Sequence, residues 1–245
     1  MLRHQHALQQ GRLAVRRSIR SLFASACLAL SATTSSACVD SVVLVHGNAG
    51  SPADFDNTYV ELRARNYSDA QILRPNWGSK TCPACNDHNG SEEAPVASAL
   101  SLALATSCTG KIDVIGHSMG VTLAAREILA LGLSARVDSF VGIAGAYRGL
   151  LSCGVYPFHV PTSTCGSNGL SITSPLLNSL YAKRLATREY SIKSYIDEIV
   201  CSTGTCLVYG THASSIAGEN ASYTLPYYHY QLLWFTPALQ ANLVN

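Results

Sequence analysis

The sequence predicts an α/β fold, a mainly parallel sheet with helices on both faces, in a single domain. Three observations predict it. Apolar runs of strand length alternate with segments of helical period along the chain after residue 40. No internal repeat or linker interrupts the alternation. The 245 residues are 47% hydrophobic and 13% charged, which supplies a core for one ordinary domain and excludes a disordered chain.

The N-terminal residues stand apart. Arg3, Arg12, Arg16, Arg17 and Arg20 all precede the first carboxylate, Asp40. A short apolar segment, SLFASACLAL, follows them, and then small residues ending in SSAC. Basic, apolar, small is the order of a secretory signal peptide. Residues 1–37 are therefore read as a signal cleaved after Ala37, residues 38–245 as the folded domain, and the destination as extracellular or periplasmic. A lipid anchor at Cys38 is the weaker alternative, because Ser35 stands where a leucine is expected. Cleavage leaves 12 Lys plus Arg against 15 Asp plus Glu, a formal charge of −3. That balance gives no basic surface for nucleic acid.

The elements then follow in order. SVVLVHG from Ser41 is a buried strand, NTYVELRARN a short amphipathic helix, and AQILRP a strand stopped by Pro75. A loop carries Cys82 and Cys85. EEAPVASALSLALATS from Glu92 is a helix with acids in its first turn, where the helix dipole favours them. IDVIGH is a strand, MGVTLAAREILAL a helix and DSFVGIAG a strand. Ala146 to Pro175 is a Gly-, Ser- and Cys-rich excursion. EYSIKSYI is a strand, and YHYQLLWFTPALQANL a terminal helix bent by Pro237.

Eight cysteines remain beyond the signal, an even number that reads as disulfides in a secreted chain. Cys38 and Cys108 each stand four residues before an apolar run, Val42 onward and Ile112 onward, so parallel neighbouring strands would bring them together. Cys201 with Cys206 and Cys153 with Cys165 close local loops, which leaves Cys82 with Cys85. A redox or zinc reading of Cys-Pro-Ala-Cys lacks a second pair or a βαβ context.

The chemistry concentrates in IDVIGHSMG. Ser118 lies where a strand gives way to a helix, between Gly116 and Gly120. Glycines permit a tight turn, and the helix start offers free N–H groups and a positive dipole end. This is the G-x-S-x-G nucleophile elbow in its required context. An oxyanion needs two donors. The Met119 backbone N–H is one, and the Asn48 backbone N–H, after the strand ending His46-Gly47, is the other. The acid should follow at the end of a later strand. Asp138 and Glu189 begin strands, Glu127 is mid-helix, and Glu219 has no strand before it. Asp197 directly follows YSIKSYI and is chosen, with Glu198 in reserve. His229, ahead of the last helix, is the base, with His212 in reserve. Tyr223, Tyr227, Tyr228, Tyr230 and Trp234 surround His229 in sequence and line either an acyl surface or the core.

VLVHGNAGS, DVIGHSMG and SYIDEIV with a late histidine resemble the secreted bacterial lipases of the class 2 lipase family, from about Val42 to Trp234. DVIGHSMGV and GIAGAYRGLLSC are also similar to the extracellular poly(3-hydroxybutyrate) depolymerases of the same fold. The resemblance implies an α/β-hydrolase and a Ser118, Asp197, His229 triad, with the backbones of Asn48 and Met119 as oxyanion hole. It implies cleavage of carboxylic esters, acylglycerols first, with a polyester depolymerase as the alternative. From another class, the alternative is a non-catalytic binding protein on the same scaffold. No metal or organic cofactor, nucleic acid or stable protein partner is implied. The chain reads as a monomer acting on a lipid or polyester substrate. The smallest lipases of this kind lack the Ala146 to Pro175 excursion.

Overall fold

Every residue of Ser41–Val45 is buried, as expected of a central parallel strand covered on both faces. The computed structural model describes residues 38–244, all within one compact unit; the expected signal peptide lies outside them. The chain runs through β1 (Ser41–Val45), α1 (Asp56–Ala64), β2 (Ile72–Leu73), α2 (Glu93–Thr106), β3 (Ile112–His117), α3 (Met119–Ala130) and β4 (Val137–Ile143). The excursion holds β5 (Leu150–Val155), β6 (Phe158–His159) and β7 (Ser171–Ile172). It leads to α4 (Pro175–Leu180) and β8 (Arg188–Lys193). The hairpin β9 (Leu207–Val208) and β10 (Thr211–His212) follows, then β11 (Ala221–Thr224), α5 (His229–Trp234) and α6 (Pro237–Leu243).

Six strands form one sheet in the order β11–β8–β4–β3–β1–β2, every pair parallel. Side chains alternate across it, as period two requires. Val43, Val45 and Val114 pack with α2 and α3 residues such as Leu100 and Leu123. Val42, Leu44 and Ile115 pack on the other face with Leu62, Leu232 and Leu243 from α1, α5 and α6.

Two expectations need correction. The C-terminal segment is two helices rather than one bent helix: α5 ends at Trp234, and α6 begins at Pro237. Pro237 has no N–H to continue the earlier ladder and suits a helix start. The excursion carries its own small sheet, in the order β6–β5–β7.

All four cysteine pairs are bonded as the spacing suggested. Ser41 pairs with Ile112 across β1 and β3, which brings the Cys38 and Cys108 Cα atoms to 5.8 Å. Their sequence separation of 70 residues makes this the longest loop closed. Replacing both by serine should cost roughly 2–5 kcal/mol. Denaturant unfolding of the double variant checks this, and an unchanged midpoint would contradict it.

At the N-terminal edge of the sheet, Asp40, Asp113 and Asp138 bring carboxylate oxygens within 4.8 Å of one another. Lys111 and Arg188 pair with Asp138 at 3.1 and 2.7 Å. Asp113 accepts the Ser139 N–H at 2.9 Å. Burial foremost, then the Asp40 charge, pushes the Asp113 carboxyl up to about 8. Below about pH 4 this group is protonated whether the chain is folded or not. From there to about pH 8 only the unfolded chain ionises, so stability falls by up to about 1.4 kcal/mol per pH unit. Asp113→Asn removes that slope, and its advantage over wild type should grow as pH rises toward 8. Thermal melts of both proteins across the range check this; parallel curves would contradict it.

Candidate active site

The sheet order reverses between β1 and β3. From β1 the chain moves outward to β2, then returns to the other side of β1 and continues through β3, β4 and β8. The carboxyl ends of two such strands diverge in their connections and leave a crevice. His46, Gly47 and Asn48 leave β1 there, and Ser118 leaves β3 beside them.

Ser118 is held at φ 54°, ψ −129°, a conformation that costs a non-glycine residue of order 1–3 kcal/mol. Its N–H donates to the Ile143 carbonyl at 2.8 Å, and its carbonyl accepts from Val121 at 3.1 Å. The flanking glycines are required by space. A Cβ on Gly116 would meet the Val121 Cα at 2.7 Å. A Cβ on Gly120 would fall on the carbonyl oxygens of Val45 and His46. The start of α3 therefore lies directly against the end of β1.

The turn after β1 is equally close. A Cβ on Gly47 would meet the Ser118 Cβ at 2.9 Å, so Asn48 follows a residue in contact with the serine. Met119 opens α3, and its N–H has no acceptor within the helix. The Asn48 side chain is bound away from the crevice, donating to the Pro83 carbonyl at 3.1 Å and accepting from Asn86 at 2.6 Å. His46 braces the turn from behind. Its ring stacks on Trp77 at 5.3 Å, and Nε2 accepts the Trp77 N–H at 3.2 Å. The Trp77 indole N–H donates to the His46 carbonyl at 2.9 Å. Burial holds the His46 pKa below its usual value, so the neutral ring donates from Nδ1 to the Gly47 carbonyl at 2.8 Å.

Asp197 and His229 come together from segments 32 residues apart. His229 Nδ1 lies 2.9 Å from both Asp197 oxygens, with both side chains buried. Asp197 Oδ1 also accepts the N–H groups of Ile199 and Val200 at 2.9 Å, which sets the carboxylate in its turn. With Nδ1–H committed to the acid, His229 presents Nε2 as its free nitrogen. The His229 N–H donates to Glu198 Oε2 at 2.9 Å, and its carbonyl accepts from His117 Nε2 at 3.3 Å. The His117 ring packs against the His229 ring at 4.8 Å. Burial drives the His117 pKa well below its usual value, which keeps a positive charge on this ring away from His229. His229 is thus held beside the residue that precedes Ser118. Among the described residues, the Ser118 hydroxyl has no hydrogen-bond partner.

The reserve residues have other tasks. Glu198 binds the His229 backbone. His212 is buried, with Nε2 donating to the Ser194 carbonyl at 3.0 Å and Nδ1 accepting the Ser214 N–H at 3.1 Å. Of the aromatic residues flagged around the base, Tyr223 and Tyr227 pack on the core. Tyr230 lies 5.2 Å from the His117 ring. Tyr228 and Trp234 remain partly exposed. Sequence reasoning missed Trp77, Lys80 and His117. Lys80 Nζ lies 3.2 Å from His46 Nε2, and no spacing or motif announces that contact.

The model of the class 2 lipase family matches residues 40–241. No curated relative matches the chain. Among solved structures, the mature lipase BlEst2 of Bacillus licheniformis superposes with a TM-score of 0.61 at 12% identity, covering 85% of this chain and 94% of that one. Aspergillus fumigatus lipase B gives 0.53 at 17% identity over 80% of this chain. The match spans about half of the Aspergillus enzyme, 49%. A pyrethroid hydrolase, PytH, gives 0.52 at 15% identity, covering 83% and 95%. These likenesses show the α/β-hydrolase fold.

Gly120→Ala tests the close approach of α3 to β1. The methyl should cost at least about 1–3 kcal/mol, since backbone must shift to admit it, and ester turnover should fall with it. Denaturant unfolding and an ester assay on one preparation check both; wild-type values in each would contradict the packing.

Proposed function

The chain belongs to the class 2 lipase family, and on that premise we propose that it cleaves carboxylic esters of lipids through Ser118, His229 and Asp197. One observation carries the reading: a buried Asp197–His229 pair packs against His117, the residue that precedes a strained serine at the switch point of the sheet. His229 Nε2 takes the Ser118 proton as Oγ attacks the ester carbonyl. The N–H groups of Asn48 and Met119 receive the oxyanion. Collapse of the tetrahedral species expels the alcohol, to which His229 returns the proton, and leaves an acyl-serine. Water, deprotonated by the same ring, then releases the acid. Asp197 keeps the ring in the Nδ1–H tautomer and stabilises the imidazolium formed in each half.

The surroundings favour an apolar acyl ester. Tyr195, Ile196 and Ile199 lie exposed around Asp197, and Tyr228 is exposed beside His229. Such a rim suits contact with a lipid surface. Acylglycerols are the proposed substrates. Secretion behind a signal peptide of residues 1–37 is part of the same proposal, supported by four disulfides that need an oxidising compartment.

The test is hydrolysis of short and long p-nitrophenyl esters, emulsified triacylglycerol and amorphous poly(3-hydroxybutyrate). Wild type should cleave the long esters and the emulsion, and Ser118→Ala should cleave nothing. Asp197→Asn should lower kcat by about 10⁴-fold. Glu198→Gln should lower it far less, because that side chain meets only the backbone of the base. Equal inertness of wild type and Ser118→Ala on every substrate would sink the proposal. Clearing of polymer alone would move it to a polyester depolymerase.

A further inference from the structure

A cleft of about 330 Å³ lies between the segment after β4, the stretch from β7 into α4, and the β9–β10 hairpin. None of the residues proposed for catalysis lines it. Arg148 is the one charged residue of its lining, and no carboxylate faces it there. The arginine is fixed from behind. Its backbone N–H donates to the Ala213 carbonyl at 2.9 Å, and Nε donates to the Ser215 carbonyl at 3.1 Å. The guanidinium carbon stands 5.8 Å from the centre of the Tyr181 ring. Among the described residues, no acid pairs with Arg148, and its two terminal amino groups have no acceptor. A planar cation held in this way keeps a two-pronged set of donors for a carboxylate.

The rest of the cleft complements an apolar chain. Ile172, Leu177 and Val208 supply aliphatic wall. Two lining residues sit in the left-handed region without being glycine: Thr173 at φ 60° and Tyr209 at φ 48°. For a β-branched threonine that conformation is an outlier, and retained strain of this kind gathers at ligand sites. Tyr209 and Gly210 form the two-residue turn of the hairpin, which carries the tyrosine ring to the lining.

We propose that this cleft binds a small aliphatic monocarboxylate, with the carboxylate on the Arg148 fork and the chain against Ile172, Leu177 and Val208. Its volume lies at the small end of ligand pockets, so the chain is short. A neutral ester offers the fork no charge, so the site separates an acid from its ester. The esterase reading bears only on where the ligand comes from: ester hydrolysis would release an acid of this class. Binding itself does not depend on that reading.

The experiment is calorimetric titration of the purified Ser118→Ala protein with hexanoate and with hexanamide. Hexanoate should bind, and the amide should bind at least about tenfold more weakly for want of the charge. Arg148→Gln should weaken hexanoate binding by about tenfold or more. Thr211→Glu, which sets a carboxylate in the same cleft, should do so as well. It keeps the test open if Arg148→Gln fails to fold, as judged by its melting curve. Failure of hexanoate to bind, equal binding of acid and amide, or undiminished binding in a folded variant would each overturn the proposal. Loss of the esterase reading in the assays above would leave this titration unchanged.

Discussion

The contact on which the site depends is the seating of α3 on the carbonyl end of β1. Gly120 has no room for a single carbon, because the Val45 and His46 oxygens occupy that space. This approach fixes three things together. It aims the free N–H groups at the start of α3 into the crevice. It forces Ser118 into a conformation it would otherwise avoid. It also brings Gly47, and with it the turn to Asn48, against the serine. A cost in backbone strain is thereby exchanged for a geometry that substrate need not induce.

Electrostatics divides the sheet into two ends. At the carboxyl end, burial keeps the His46 and His117 rings neutral, so neither imidazole adds a positive charge beside the Asp197–His229 pair. At the other end, burial pushes the Asp138 carboxyl up, but Lys111 and Arg188 together outweigh it and hold the group below its usual value, while its buried neighbour Asp113 is driven the opposite way. Acids that begin strands and an acid in the turn beyond one, four residues past the end of β8, thus have different environments by position alone. Position, rather than residue type, separates Asp197 from Asp138 and Glu189.

Much of this was legible in the sequence. The parallel sheet follows from strand and helix alternation, and the Cys38–Cys108 pair from two cysteines three and four residues before neighbouring strands. Ser118 was legible because its signature is local, a serine between Gly116 and Gly120 where a strand meets a helix. Asp197 and His229 could be placed only by their order after strands. What stayed hidden is tertiary. β6 and β7 are two residues long, too short to show a period. The burial of His212 under Ser194 and the stacking of His46 on Trp77 join segments whose contact no pattern encodes. Pro237 marked a break in the C-terminal helix, but only packing shows that it begins a new one.

A sheet whose strands are all parallel has no hairpins to start from, and each pairing must bring together distant parts of the chain. The first central pairing, β1 with β3, spans 70 residues between Cys38 and Cys108. Once those sulfurs are joined, the two strands are tethered three to four residues from their first paired positions, and the long loop-closure search is over before the core forms. The same bond that lies at the rim of the finished molecule therefore acts on the contact order of the unfinished one. A chain that reaches oxidising conditions before it folds searches a smaller space than one that folds reduced.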